Sequence, residues 1–231
     1  MHDSCSIASS DRTEFAVAAI TRYVAAPSFP CVGARSAFNR GRARFGMYGS
    51  LGDSSDVTAI CSDLARFSKE FPKPGSDPAT FIAIFRDEFS SESEFARRMW
   101  QQLQDMHSHD VNAFAWDPTV SSDPAESNFS FSVAGRAFFV VGLSPAASRV
   151  SRRAPYPCLV FNFHDQFENL RANGKYEGLQ KVVRLRDINL QGSINPVLAR
   201  FGDASEARQY SGVAVDQSWK CPFRHLATAS N

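Results

Sequence analysis

Residues 129–143 read Phe-Ser-Phe-Ser-Val-Ala-Gly-Arg-Ala-Phe-Phe-Val-Val-Gly-Leu. Phe129, Phe131 and Val133 alternate with Ser130 and Ser132, the period-two pattern of a strand with one covered face. Ala134-Gly135 offers a two-residue turn, and Arg136–Leu143 returns as an apolar strand. The segment therefore predicts a β-hairpin in the middle of the chain.

Working outward, Pro155–Pro157 lead into another strand, Cys158–Phe163. Phe81-Ile82-Ala83-Ile84-Phe85 is a short apolar run of the kind covered on both faces. Helical spacing dominates elsewhere. Asp11–Ala26 reads as a helix with Phe15, Ala18, Ala19 and Tyr23 on one side, ended by Pro27-Ser28-Phe29-Pro30. Cys31–Arg40 reads as a short helix opening after Pro30, and Gly41–Asp53, with four glycines, as loop or irregular strand. Asp56 is placed to cap a helix whose Val57, Ile60, Cys61, Leu64, Phe67 and Phe71 share one face. Ser91 and Glu94 form a capping-box pattern ahead of inward Phe95, Met99, Leu103 and Met106. Lys175–Gln191 reads as a helix stopped by Gly192, Asn195-Pro196 as the opening of a short one closed by Gly202, and Ala204–Phe223 as turns. The expectation is an α+β fold: a single domain over 1–231, a mainly antiparallel sheet of about four or more strands packed by helices. Residues 1–10 are expected to be a flexible tail.

Composition narrows the function classes. Of 231 residues, 25 are Lys or Arg and 24 Asp or Glu, a balance that lacks the basic excess of a nucleic-acid binder. The longest apolar stretch, Ala137–Leu143, is far short of the roughly 20 residues a bilayer requires. Met1–Ser10 is polar, without the apolar core of a secretory signal. The five cysteines are scattered, with no C-x-x-C pair, so free thiols in a cytoplasmic protein are expected. The 20 phenylalanines against 5 tyrosines and 3 tryptophans suit a dry core or a dry pocket. Phosphate-loop, dinucleotide, nucleophile-elbow and H-E-x-x-H signatures are all missing from the sequence.

Few residues remain to carry chemistry. His107-Ser108-His109-Asp110 resembles a metal cluster, but it falls at a helix C-terminus, where the dipole alone favours histidine. Arg149, Arg152 and Arg153 form either a solvated loop or an anion grip suited to carboxylates. Along Cys158–His164, alternation puts Cys158, Val160, Asn162 and His164 on one face, apolar first and polar last, as where a strand enters a pocket. Cys31, at a helix start with Gly33 beside it, is the thiol best placed to ligate iron, with Cys221 of Trp219–Phe223 the other.

Seven segments carry a resemblance. They are Phe29–Ala34, Ser121–Pro124, Asn128–Gly142, Phe161–Glu168, Gln191–Pro196, Ser205–Gly212 and Trp219–Phe223, and together they resemble the YqcI/YcgG family over nearly the whole chain. That family includes haem-dependent N-hydroxylases of guanidine-type compounds from guanitoxin- and cycloserine-type pathways. The resemblance implies haem b, O₂ or peroxide, and a small amino or guanidino substrate. No flavin or iron–sulfur motif is present, so a reductase partner or peroxide is implied as electron source. Nucleic acid and membrane are not expected partners. Under this reading Cys31 or His164 ligates the iron, and Gly33, Arg152 and Arg153 contact the cofactor. Thiolate donation favours O–O cleavage, which points to Cys31. The string Cys-Val-Gly-Ala-Arg at 31–35 also resembles the thiolate loop of nitric oxide synthases. His164, Asn162, Glu206 and Tyr210 are the candidate catalytic residues, with Glu206 or Asp123 as carboxylate partner for a cationic substrate. The alternatives are a non-catalytic haem-binding module, or a non-haem metal hydrolase using His107, His109 and Asp110.

Overall fold

The computed structural model describes residues 3–73, 77–194 and 204–227. In chain order the elements are α1 (Asp3–Ala25), α2 (Val32–Asn39), β1 (Ala43–Met47), α3 (Val57–Glu70), β2 (Thr80–Ile84) and α4 (Glu92–Asp110). They continue with β3 (Phe131–Val133), β4 (Arg136–Leu143), β5 (Cys158–Phe163), α5 (His164–Ala172), α6 (Tyr176–Gln191) and α7 (Ala207–Tyr210). The fold is α+β.

The hairpin forms as expected. β3 and β4 pair antiparallel, and Ala134 (φ 54°) and Gly135 (φ 70°) both take the left-handed conformation of a two-residue turn. That turn matches the right-handed twist of the strands. β4 then pairs with β5 and β5 with β2, both antiparallel, and β1 joins β2 in parallel, giving the order β1-β2-β5-β4-β3.

Strand alternation divides the sheet into two apolar faces. One buries Phe81, Leu159, Phe161, Phe163, Phe138 and Val140 against α3 and α4. The α3 stripe arrives as its spacing predicts, with Phe67 stacked on Phe163 at 4.7 Å and Phe163 on Phe138 at 5.1 Å. Each such burial contributes roughly 1.5–3 kcal/mol, and the phenylalanine excess is concentrated here. Gly142 allows the close approach of α4 and α7. A Cβ there would sit 2.8 Å from the Phe95 ring and 3.0 Å from the Tyr210 carbonyl.

The other face carries Ile82, Ile84, Cys158 and Leu143, covered by Ala16, Ile20, Val24 and Phe29. Several local expectations change. α1 begins at Asp3, ahead of Asp11, so the segment read as a tail joins the helix. Its buried stripe is Ala16, Ile20 and Val24, and Phe15 is 71% exposed. Apolar residues occupy more than one side of this helix, and the sheet accepts the i, i+4, i+8 row. Asp56 makes no capping bond. Its Oδ2 instead accepts from Gly49 N at 2.6 Å, while Asp53 caps a single 3₁₀ turn before α3. Ser91 does cap α4, accepting from Glu94 N at 3.2 Å. α5 was not expected: the chain turns helical directly at His164, so strand alternation ends at Phe163. The helix expected at Asn195–Gly202 lies outside the described residues. No helix among the described residues is long and apolar enough to cross a membrane.

Candidate functional site

A cavity of about 440 Å³ lies over the second face of the sheet, within the range of small-ligand pockets. Its floor follows from the strand register. One row across the sheet is Thr80, Asn162 and Phe139, and the next is Ile82, Val160 and Val141. A third row ends at Leu143 beside Cys158. The walls are Ile20 and Val24 of α1, Cys31–Ala34 and Phe38 at α2, and Phe167 and Leu170 of α5. α6 adds Tyr176, Leu179, Gln180, Val183, Arg184 and Asp187, a helical i, i+3, i+4, i+7, i+8, i+11 stripe.

Four of the residues singled out from sequence meet here: Cys31, Gly33, Arg152 and Asn162. Cys31 is half-buried and caps α2, its Sγ accepting from Ala34 N at 3.4 Å. Burial pushes its thiol up, outweighing the N–H groups of Ala34 and Gly33 and the charge of Arg152. The lowering expected from the helix start is therefore overridden, because the sulfur faces an apolar wall rather than water. A Cβ at Gly33 would meet only the Cys31 sulfur, at 3.9 Å, so the backbone here borders open space.

Arg152 is buried and donates to the carbonyls of Gly142 (3.0 Å), Tyr210 (3.2 Å) and Gln209 (3.0 Å). Burial lowers it to about 10, against Tyr23, Cys31 and Asp187. Its guanidinium braces the wall, and an anion would compete with three main-chain carbonyls for it. Arg153 lies outside the cavity lining and donates to Ala147 and Ser148 carbonyls. Arg149 forms a buried ion pair with Asp187, the carboxylate of the cavity wall.

His164, Glu206 and Tyr210 also come together, but outside the cavity lining. The His164 Nδ1 lies 3.2 Å from Glu206 Oε1. Ser130 Oγ donates to Glu206 Oε2 at 3.0 Å, and the Tyr210 hydroxyl, 3.3 Å from that oxygen, accepts from Phe131 N at 3.1 Å. Burial pulls the His164 imidazole down, but Glu206, with Glu168 and Asp117 beyond it, overrides this and raises it. Burial raises the Glu206 carboxyl, opposed by His164, Ser130 and Tyr210. The expected pairing of His164 with Asn162 on one pocket face thus does not form, since His164 belongs to the first turn of α5. A carboxylate anchored on one imidazole nitrogen fixes ring orientation, a feature useful to a ligand or an acid–base group.

The remaining candidates lie elsewhere. His107 Nε2 accepts from Leu226 N at 2.8 Å, and Asp110 accepts twice from Ala134 N, at 3.0 and 3.1 Å. Among the described residues no three His, Cys, Asp or Glu side chains converge as a metal site. Cys221 packs against the opposite core, its thiol pushed up to about 12 by burial. Asp123 turns back to Ala125 N at 2.9 Å in an exposed loop. Neither Glu206 nor Asp123 lines the cavity. Sequence reasoning missed Thr80 and Asp187. Thr80 carried a usable signal, being the polar residue one pleat before Ile82, and Asp187 continues the inward stripe of α6.

The YqcI/YcgG family model matches residues 19–224, which include every strand and the whole cavity floor. The chain belongs to the YqcI/YcgG family. It is 24% identical over 219 residues to "Uncharacterized protein YcgG" of Bacillus subtilis (strain 168), covering 89% of this chain and 85% of the relative. It is 25% identical over 209 residues to "Uncharacterized protein YqcI" of the same strain, covering 86% and 81%. No solved structure matches the chain. In this YqcI/YcgG protein, the matched span includes Cys31 and Gly33 of the α2 wall and Asn162 of the floor.

Proposed function

We propose that this YqcI/YcgG protein is a cytoplasmic haem-dependent oxygenase that N-hydroxylates a small amino or guanidino compound. The observation that carries the reading is the cavity that unites Cys31, Gly33 and Asn162 under apolar walls. A sulfur donor facing that space, with a glycine beside it, fits a flat iron cofactor. Haem b bound there would supply activation of O₂ or peroxide, with electrons from a reductase partner where O₂ is used.

The chain's own residues divide the remaining work. Cys31 would hold the iron through its sulfur, and because burial keeps its thiol neutral, ligation would cost that proton. Gly33 would leave room for the cofactor beside it. Apolar rows of Ile82, Val160 and Val141 keep water from the reacting nitrogen, and Asn162 orients it. Arg152 stiffens the wall through α7. The free thiols of Cys31, Cys61, Cys158 and Cys221 suit a reducing compartment.

The test is haem reconstitution of the full chain followed by the spectrum of the reduced CO complex. One haem per chain, a long-wavelength thiolate-type band and its loss in Cys31→Ser are expected. An imidazole-type spectrum transfers ligation to His164. Folded protein that takes up no haem refutes the reading, and haem uptake without an N-hydroxylated product leaves a binding module.

A further inference from the structure

We propose that Thr80 and Asn162 form the specificity row of the cavity, docking an uncharged head group that both donates and accepts hydrogen bonds, of the carboxamide class. This rests on the cavity being the ligand site of the proposed function. The two residues are direct cross-strand partners on β2 and β5, and both face the cavity. Thr80 is 1% exposed and its hydroxyl has no hydrogen-bond partner among the described residues. A buried hydroxyl left unpaired is costly, so its persistence at a cavity wall marks a place where a ligand completes it. Among the described residues the Asn162 side chain reaches only the Phe139 carbonyl, at a long 3.4 Å. Gln166, the neighbouring amide in the lining, is already clamped to Ala79 N at 2.6 Å and Ala79 O at 3.0 Å. On the sheet floor, the polar edge available to a ligand is therefore the Thr80–Asn162 row, and the row behind it is wholly apolar.

The charge pattern selects a neutral head. Asp187 is the one carboxylate lining the cavity among the described residues, and Arg149 already balances it. Arg152 adds positive charge to the wall. A cationic group seated on this row would lack a counter-charge, which burial disfavours strongly, so the row takes the uncharged end of the substrate.

The probes are benzamide, which carries an amide edge on a small ring, and toluene, which lacks it. Each is titrated calorimetrically into the full chain, and haemin uptake is followed in parallel by absorbance. Unmodified protein should bind benzamide more tightly than toluene. Thr80→Val, nearly isosteric and suited to a strand, should weaken benzamide about fivefold, the equivalent of one neutral hydrogen bond. Asn162→Leu should do at least as much, toluene and haemin should be unaffected, and Thr80→Ser should restore benzamide affinity. Equal benzamide affinity in all variants, or no benzamide binding alongside normal haemin uptake, overturns the inference and spares the proposed function. Loss of binding for all three probes in folded wild-type protein overturns both.

Discussion

Replacing Glu206 with alanine removes the acceptor around which the buried polar cluster is arranged. Glu206 is 1% exposed, with Ser130 Oγ at 3.0 Å and His164 Nδ1 at 3.2 Å. Tyr210 survives the change, because its hydroxyl also lies 3.3 Å from the Phe138 carbonyl. His164 loses the nearer of two carboxylates, Glu168 lying at 3.9 Å. A hydrogen bond to a buried carboxylate contributes about 1.5–3 kcal/mol, and stranding one partner of a buried ion pair costs about 3–5 kcal/mol. These overlap at one residue, so about 4 kcal/mol is expected, or roughly 8–16 °C in Tm for a chain of this size. Glu206→Gln keeps an acceptor for Ser130 and should cost about half as much. The pH dependence carries a definite sign. His164 is raised in the folded state, so its contribution is complete below the unfolded value of about 6.5 and fades as pH rises through the folded one. Urea unfolding of wild type should show a decline above about pH 6.5 that Glu206→Ala lacks. A variant within about 1 kcal/mol of wild type, with the same pH profile, would refute the reasoning.

Two further outcomes follow from the core and from the C-terminal strap. Phe163→Ala removes the ring stacked between Phe67 and Phe138, with the Arg136 guanidinium 4.7 Å from its centroid, and should cost about 3–5 kcal/mol in urea unfolding. Burial and the neighbouring His225 lower His107 to about 4, so its contribution is present above about 6.5 and is lost as pH falls toward 4. Trp116, edge-on to His107 at 5.3 Å, should report that loosening by fluorescence, and His107→Gln should flatten the response.

The sheet was readable in the sequence wherever the local pattern and the tertiary demand agree. The hairpin, the α3 stripe and the limits of β5 all follow from spacing, because apolar residues recur along each at the period its structure demands, or turn residues bound it. α1 was misjudged at Phe15 because its apolar residues spread around the helix, and only the sheet beneath selects Ala16, Ile20 and Val24. The joining of β1 to β2 in parallel depends on partners distant in the chain, which periodicity cannot reveal. At the site, Asn162 was legible from strand alternation and Cys31 and Gly33 from a helix start, whereas Arg152 stood out only within a basic cluster; that the four share a cavity emerges from the fold. His164 was misplaced because a strand-to-helix junction has no signature within the alternation itself. Thr80 was legible as the polar residue one pleat before Ile82, but that its hydroxyl lacks a partner among the described residues emerges only from the fold.

The candidate residues form two groups, and α7 joins them. Glu206, immediately before α7, and Tyr210 at its end belong to the His164 cluster. The carbonyls of Gln209 and Tyr210, on that same short helix, receive the Arg152 guanidinium from the cavity wall. A four-residue helix has little stability of its own, so its position depends on these side-chain anchors. Protonation of His164 strengthens one anchor, and the other fixes where Arg152 stands beside Cys31. The imidazole therefore bears on the cavity through the seating of α7, even though it does not line the cavity. On this argument Glu206→Ala should loosen the Arg152 wall as well as the His164 cluster, and haem or benzamide affinity should fall with it, whereas Phe163→Ala should cost stability without singling out the cavity.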